Sequence, residues 1–327
     1  MTAPLCLQQR QNLQTECAES PAMSKGVNPP LKLRFNIHLT RDVEPTHLGS
    51  ALRSAFGWSL RGSACALGLP PDCIGCPVQR DCLYSRLFDP LPPLAPVHPS
   101  FTAGIPGYAI AVQPSHDQRP LRTGQVLHAA LLLLAPQPED LPVIEQALFK
   151  AVDRNRGFLN GVARIGAGER VPLPTPQLPD NPSPPTDGRT VPQKIRLHLE
   201  SPLAVKLKSE DLRQGHAFNA ELIWRLAWRR LQQWAQCSGA PIPNGEPWRQ
   251  AFKTLSLDAT ALRHVVTFRD SKRHDNKQPL AGFVGELAMT GNPEALVTAQ
   301  QLLHVVVPLQ IGKDTAFGLG VARLSAD

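Results

Sequence analysis

Between residues 171 and 193 the chain reads VPLPTPQLPDNPSPPTDGRTVPQ. Neither a helix interior nor a central strand can hold such a run, because each proline fixes φ and removes a backbone donor. The run splits the 327 residues into two halves, each long enough for its own core. Proline is abundant throughout, with 34 in all and a second cluster at residues 90–99. The expected organisation is a flexible tail (residues 1–30, without periodicity), an N-terminal domain (31–170), a proline-rich linker (171–192) and a C-terminal domain (193–327).

Residues 31–40 alternate without a fault: Leu31, Leu33, Phe35, Ile37 and Leu39 face one way, and Lys32, Arg34, Asn36 and His38 the other. This is a strand with one buried and one basic face. A helix follows, signalled by Leu48, Leu52, Ala55, Phe56 and Leu60. Its opposite side carries a polar stripe of His47, Ser50, Ser54, Trp58 and Arg61. Residues 125–134 read as a strand, 139–152 as a helix and 158–165 as a strand. The second half repeats the order: strand 194–199, helix 218–235, strands 263–269 and 282–289, helix 293–304, then a glycine loop and a last strand. The simplest class is α+β, with two tandem ferredoxin-like (RRM-like) domains, the first carrying a cysteine-knuckle insertion at 62–100.

A formal net charge of +7 and a pI near 9.2 suit an anionic partner such as nucleic acid. No run approaches 18 apolar residues, and the polar segment from Gln8 to Gln14 does not resemble a signal peptide. The expectation is a soluble, cytoplasmic protein with no membrane partner.

Near the C-terminus lies Ile311-Gly312-Lys313-Asp314-Thr315-Ala316-Phe317-Gly318-Leu319-Gly320. Three glycines and a lysine read as a loop that lets backbone approach a phosphate chain. It is not a nucleotide P-loop, since Asp314 follows Lys313 where Ser or Thr is needed. Nor is it a dinucleotide fingerprint, for which no following helix remains. The bland alternative is a glycine turn into the last strand.

Cys65, Cys73, Cys76 and Cys82 lie within eighteen residues. Thiolates at this spacing suit a structural tetrahedral zinc, with an iron–sulfur cluster as the alternative and four incidental thiols as the plain reading. Cys6, Cys17 and Cys237 have no such company.

Several segments together resemble one family. GSALRSAFGWSLRGSAC, the cysteine knuckle with LYSRLFDP, RHDNKQPLAGFVGEL and LLHVVVPLQIGKDTAFGLGVARL are similar to the CRISPR precursor-crRNA-processing endoribonucleases of the repeat-associated mysterious protein (RAMP) superfamily. The resemblance spans about residues 31 to 325. It implies two ferredoxin-like folds and a CRISPR repeat RNA hairpin as substrate, with the mature crRNA retained and other CRISPR effector subunits as partners. It also implies a hydrolase of antiviral defence that needs no cofactor for catalysis: the ribose 2′-OH attacks its own phosphate and leaves a 2′,3′-cyclic end. Rival readings are a non-catalytic RNA-binding subunit of the same superfamily and a zinc-dependent DNA-binding protein.

That chemistry needs a base, a cation on the phosphorane and an acid for the leaving oxygen. His47, at the start of the first helix, is the first candidate base and His38 the second. Arg53, Arg61, Arg34 and Lys313 are candidate cations. Hairpin binding is assigned to Arg269, Lys272, Arg273 and Lys277 between two strands, to Arg225 and Arg229 on the tryptophan-rich helix, to Lys313, Gly312, Gly318 and Gly320 of the terminal loop, and to Arg34. Arg154 and Arg156 form a smaller basic pair. On this reading the loop grips RNA while the chemistry lies far upstream at His47.

Overall fold

A computed structural model describes residues 27–43, 47–65, 67, 73, 75–113, 120–153, 163–166, 168–182, 191–205, 218–271 and 276–327. The first strand, β1 (Leu31–Leu39), follows its alternation: Leu33, Phe35, Ile37 and Leu39 are each at most 5% exposed. At roughly 1.5–3 kcal/mol per buried large apolar side chain, one face of this strand supplies much of the local driving force. It leads into α1 (Leu48–Ala64), which buries Leu48, Leu52, Ala55, Phe56 and Leu60, as its spacing predicts. After a short helix α2 (Leu83–Phe88) come β2 (Tyr108–Gln113) and β3 (Val126–Leu133), then α3 (Leu141–Asp153), β4 (Ala163–Ile165) and β5 (Glu169–Pro172). The sheet order β2-β3-β1-β4 is that of a ferredoxin-like unit, with β5 also pairing β1.

The C-terminal half repeats it. β6 (Ile195–Leu203), α4 (Ala220–Ser238), β8 (Arg263–Ser271), β9 (Asn276–Thr290), α6 (Pro293–Val306) and β10 (Ala322–Ala326) form the unit. A helix α5 (Glu246–Lys253) and a short strand β7 (Ser256–Asp258) are inserted after α4. The order is β10-β6-β9-β7, with β8 also on β9. Alpha-helix α4 starts at Asn219, whose side chain accepts from the Leu222 N–H, and ends on Gly239 in the left-handed region. Its arc of Ile223, Ala227, Trp228, Leu231 and Trp234 is core, while Trp224 is half-buried and stacks on Trp228.

Strand β2 escapes a pattern search for a physical reason. Its sequence YAIAVQ is buried on both faces, so no alternation remains. Tyr108 and Ile110 pack in the N-terminal core, whereas Ala109, Leu132 and Leu134 pack into the C-terminal one. The two domains thus share an apolar interface.

Both proline-rich stretches are straps as well as connectors. Val171 and Pro172 end β5, the Leu173 N–H donates to the Pro30 carbonyl, and Leu173 and Leu178 pack on the C-terminal core. The earlier cluster crosses α4: Gln236 accepts from the Val97 N–H at 2.7 Å, and Arg229 lies 3.7 Å above the Phe101 ring. Among the described residues no helix is long and apolar enough to cross a membrane.

Candidate functional site

The N-terminus of α1 and the terminal glycine loop, about 270 residues apart in sequence, meet in space. A Cβ on Gly49 would lie 2.2 Å from the Phe317 carbonyl oxygen, so only glycine lets the loop seat on the helix. The two ends to which the sequence reading assigns binding and chemistry are thus neighbours in space. Both ends line one junction between the domains.

His47 caps α1. Its Nδ1 accepts a hydrogen bond from the Ser50 N–H at 3.1 Å, and its Nε2 is buried with no partner among the described residues. The side chain is nearly enclosed, at 3% exposure. Burial first, and then the Arg269 charge, pull the imidazole down to about 4, so it is neutral at working pH. Because Nδ1 accepts, the proton of this neutral ring sits on Nε2. Only the first part of the polar stripe is covered: Ser50 is buried with His47, whereas Trp58 is 57% exposed.

The folded imidazole titrates near 4 and the unfolded one near 6.5. Folded protein thus binds fewer protons between these values, and the stabilisation is complete above pH 6.5 and lost as pH falls toward 4. The loss reaches about 3 kcal/mol at full titration. Urea midpoints at pH 7 and pH 4.5 should differ accordingly, and His47→Gln should flatten the difference.

Next to His47, two arginines grip one ring. The guanidinium carbons of Arg53 and Arg269 each lie 4.5 Å from the centroid of Phe317. Arg53 also lies 5.3 Å from Phe88. Among the described residues no carboxylate lies within ion-pair distance of either arginine; Arg269 donates to the Gln278 side chain. Burial and the Arg53 charge hold Arg269 below the usual arginine range, against a weaker pull from Asp314. Two like charges held together, with Asp314 near but no ion-paired carboxylate among the described residues, form a place for an anion.

The glycine loop is tighter than an open phosphate cradle. Lys313 N–H donates to the Ala204 carbonyl, Gly320 N–H to Pro202, Ile311 N–H to Gly320, Phe317 N–H to Asp314 and Gly318 N–H to Thr315. Gly318 and Gly320 take φ of +95° and +77°, and a Cβ on Gly320 would sit 1.8 Å from the Ile311 carbonyl oxygen. A Cβ on Gly312 would sit 2.8 Å from the Ala204 carbonyl oxygen. These glycines serve close packing, and the exposed Lys313 is what the loop offers to an anion. Arg230 anchors the loop from below: buried on α4, it donates through Nε to the Leu309 carbonyl at 2.7 Å. Burial pulls it down to about 10, which leaves it charged.

The other candidates are dispersed. His38 is exposed on the outer face of β1, and Arg34, four residues earlier on the same face, lies 4.0 Å from Glu169. Arg61 sits 5.6 Å from the Tyr84 ring, near the cysteines rather than the junction. Arg225 is exposed on α4, but Arg229 is engaged by Ser100 and Phe101 of the strap. Lys277 is exposed at the start of β9. Lys272, Arg273, Arg154 and Arg156 lie outside the described residues, as do Cys6 and Cys17.

Cys65, Cys73, Cys76 and Cys82 line one cavity of about 280 Å³ with Arg61 and Tyr84, none of them in a disulfide. Yet no group of three or more His, Cys, Asp or Glu among the described residues is arranged to hold a metal ion. The thiolate centre expected from spacing, zinc or iron–sulfur, is not formed in this arrangement. Burial instead raises the Cys73 thiol, which opposes thiolate formation. Residues that sequence reasoning passed over are Gly49, Gly57, Phe88 and Arg230; the GSALRSAFG spacing of Gly49, Arg53 and Gly57 is the signal that was present.

Comparison with known proteins bears on both halves. Residues 197–322 match the family model of CRISPR-associated endoribonuclease Cas6, and residues 29–171 match an N-terminal-domain model, AF_1859_N. A solved Cas6 product complex is similar over 90% of this chain and 100% of its own, at 14% identity and a TM-score of 0.52. Thermus thermophilus Cas6 aligns over 91% of this chain and 98% of its own, at 14% identity and a TM-score of 0.48. The curated proteins give no significant match. With the family's domain matched at residues 197–322 and the fold of a Cas6 product complex across both halves, the chain resembles the CRISPR-associated Cas6 endoribonucleases.

Proposed function

We propose that the protein cleaves precursor crRNA within CRISPR repeat hairpins by internal 2′-OH attack and keeps the product. The observation that carries the reading is the pair Arg53 and Arg269 on Phe317, beside a neutral His47, at the junction of the two domains. In this reaction the 2′-oxygen–phosphorus bond forms and the phosphorus–5′-oxygen bond breaks. One proton leaves the 2′-OH and one arrives on the 5′-oxygen, so no net proton is consumed.

Each residue has a task. Arg53 and Arg269 meet the charge that grows on the non-bridging oxygens of the phosphorane, where fixed cations are worth most. This supplies the electrostatic part of the reaction from the chain itself. His47 handles the proton. As the helix cap, it holds its proton on Nε2; moving that proton to Nδ1 frees the Nε2 lone pair as base and gives up a cap worth about 1 kcal/mol. Lys313 and Lys277, both exposed, track phosphates of the stem. Product retention is supported by the similar Cas6 protein solved with its product, and a place in a larger CRISPR assembly by the family likeness.

The test is incubation with repeat RNA in EDTA. Cleavage is expected to persist, to leave a 2′,3′-cyclic phosphate, and to stop when the cleavage-site nucleotide is 2′-deoxy. Tight binding without cleavage would instead identify a non-catalytic RNA-binding subunit, and cutting of the 2′-deoxy substrate would overturn the mechanism.

A further inference from the structure

Gly49, Arg53 and Gly57 follow one another at intervals of four on α1 and so share a face. Each glycine seats a neighbour that a side chain would displace. A Cβ on Gly49 would meet the Phe317 backbone at 2.2 Å, and one on Gly57 would meet the Phe88 ring at 2.6 Å. Arg53, midway between them, has the Phe317 ring at 4.5 Å and the Phe88 ring at 5.3 Å.

Phe88 is held in turn from several directions. Tyr84 stacks on it with ring centroids 5.3 Å apart and planes 2° from parallel, and Tyr108 and Phe56 pack at 4.8 Å and 5.4 Å. Arg61 lies over the Tyr84 ring, 5.6 Å from its centroid. A continuous run of guanidinium and aromatic groups, Arg61, Tyr84, Phe88, Arg53, Phe317 and Arg269, therefore extends from the cysteine-lined cavity to the domain junction.

We infer that Phe88, held in the notch at Gly57, is a positioning residue that fixes the direction of the Arg53 guanidinium toward the RNA phosphate. The physical reason is the flatness of both partners. A guanidinium over an aromatic face keeps its in-plane N–H groups free for an anion while losing its rotational freedom. An aliphatic residue of similar size would fill the space and leave Arg53 free to turn. The inference deepens the ribonuclease reading, on which it rests for the identity of the anion.

Two readouts test it with Phe88→Leu and Phe88→Tyr. The first needs no activity: in wild type the Arg53 Nε–H resonance should be displaced by the currents of the flanking rings. Phe88→Leu should move it toward the position of a solvent-exposed arginine, and Phe88→Tyr should not. The second is the single-turnover cleavage rate at saturating protein. Phe88→Leu should lower it about tenfold with RNA affinity unchanged within twofold, and Phe88→Tyr should restore it. A Phe88→Leu protein with an unmoved Arg53 resonance, or with the wild-type rate in its folded fraction, overturns the inference. If wild type fails to cut repeat RNA, the nuclease reading falls instead, and the resonance still decides whether Phe88 orients Arg53.

Discussion

Gly49→Ala is expected to reduce repeat cleavage by about a hundredfold or more while leaving both domains folded. The added methyl would fall 2.2 Å from the Phe317 carbonyl oxygen and 3.0 Å from the Gly318 Cα, both backbone atoms that cannot swing aside. Either the glycine loop lifts from α1 or the helix start moves away from the loop. Both outcomes separate Arg53 from Phe317 and Arg269, and displacement of reacting groups by about 1 Å is enough to cost about a hundredfold. The cost in stability should be smaller, about 1–3 kcal/mol for overpacking at one interface. Single-turnover kinetics beside a thermal melt separate the two effects. A wild-type rate in Gly49→Ala would show that the loop does not have to seat on the helix.

The dependence on Gly49 also explains which parts of the protein could be read from sequence. The alternation of β1 was legible because one face of its sheet is solvent and the other is core. Strand β2 was not, because it is buried on both faces, by its own domain and by the partner domain. Helix α1 showed its apolar and polar faces, yet two of its functional positions are glycines, which neither face includes. Their role appears only when Phe317 and Phe88 are placed against them.

The terminal loop teaches the same lesson. Its glycines marked close approach, and close approach is what occurs, but to backbone of the same chain rather than to an open anion site. Arg269 was legible only as one charge of a basic hairpin tip between two strands. Its neighbourhood with Arg53 depends on β8 reaching the junction, which no spacing along the chain encodes. The cysteines show the reverse: their spacing suggested convergence on one ion, and the fold brings them to one cavity without assembling a ligand set.

Arg53→Ala carries the largest effect expected of any charged residue here. Removing one fixed donor from a site of developing negative charge costs about 10²–10³ in rate, because the remaining groups cannot follow the charge as it moves. Ground-state RNA binding should change little, since most of that affinity comes from many exposed phosphate contacts and not from one half-buried arginine. Arg53→Lys should lie between the two, as it keeps the charge but loses the flat contact with Phe88 and Phe317.

The most direct test of a catalytic junction is therefore the single-turnover cleavage rate of Arg53→Ala on repeat RNA in EDTA, measured at protein concentrations above its own dissociation constant. A rate reduced about 10²–10³-fold, with the dissociation constant within a few-fold of wild type, is the result this account requires. A rate within twofold of wild type would place the chemistry elsewhere in the molecule.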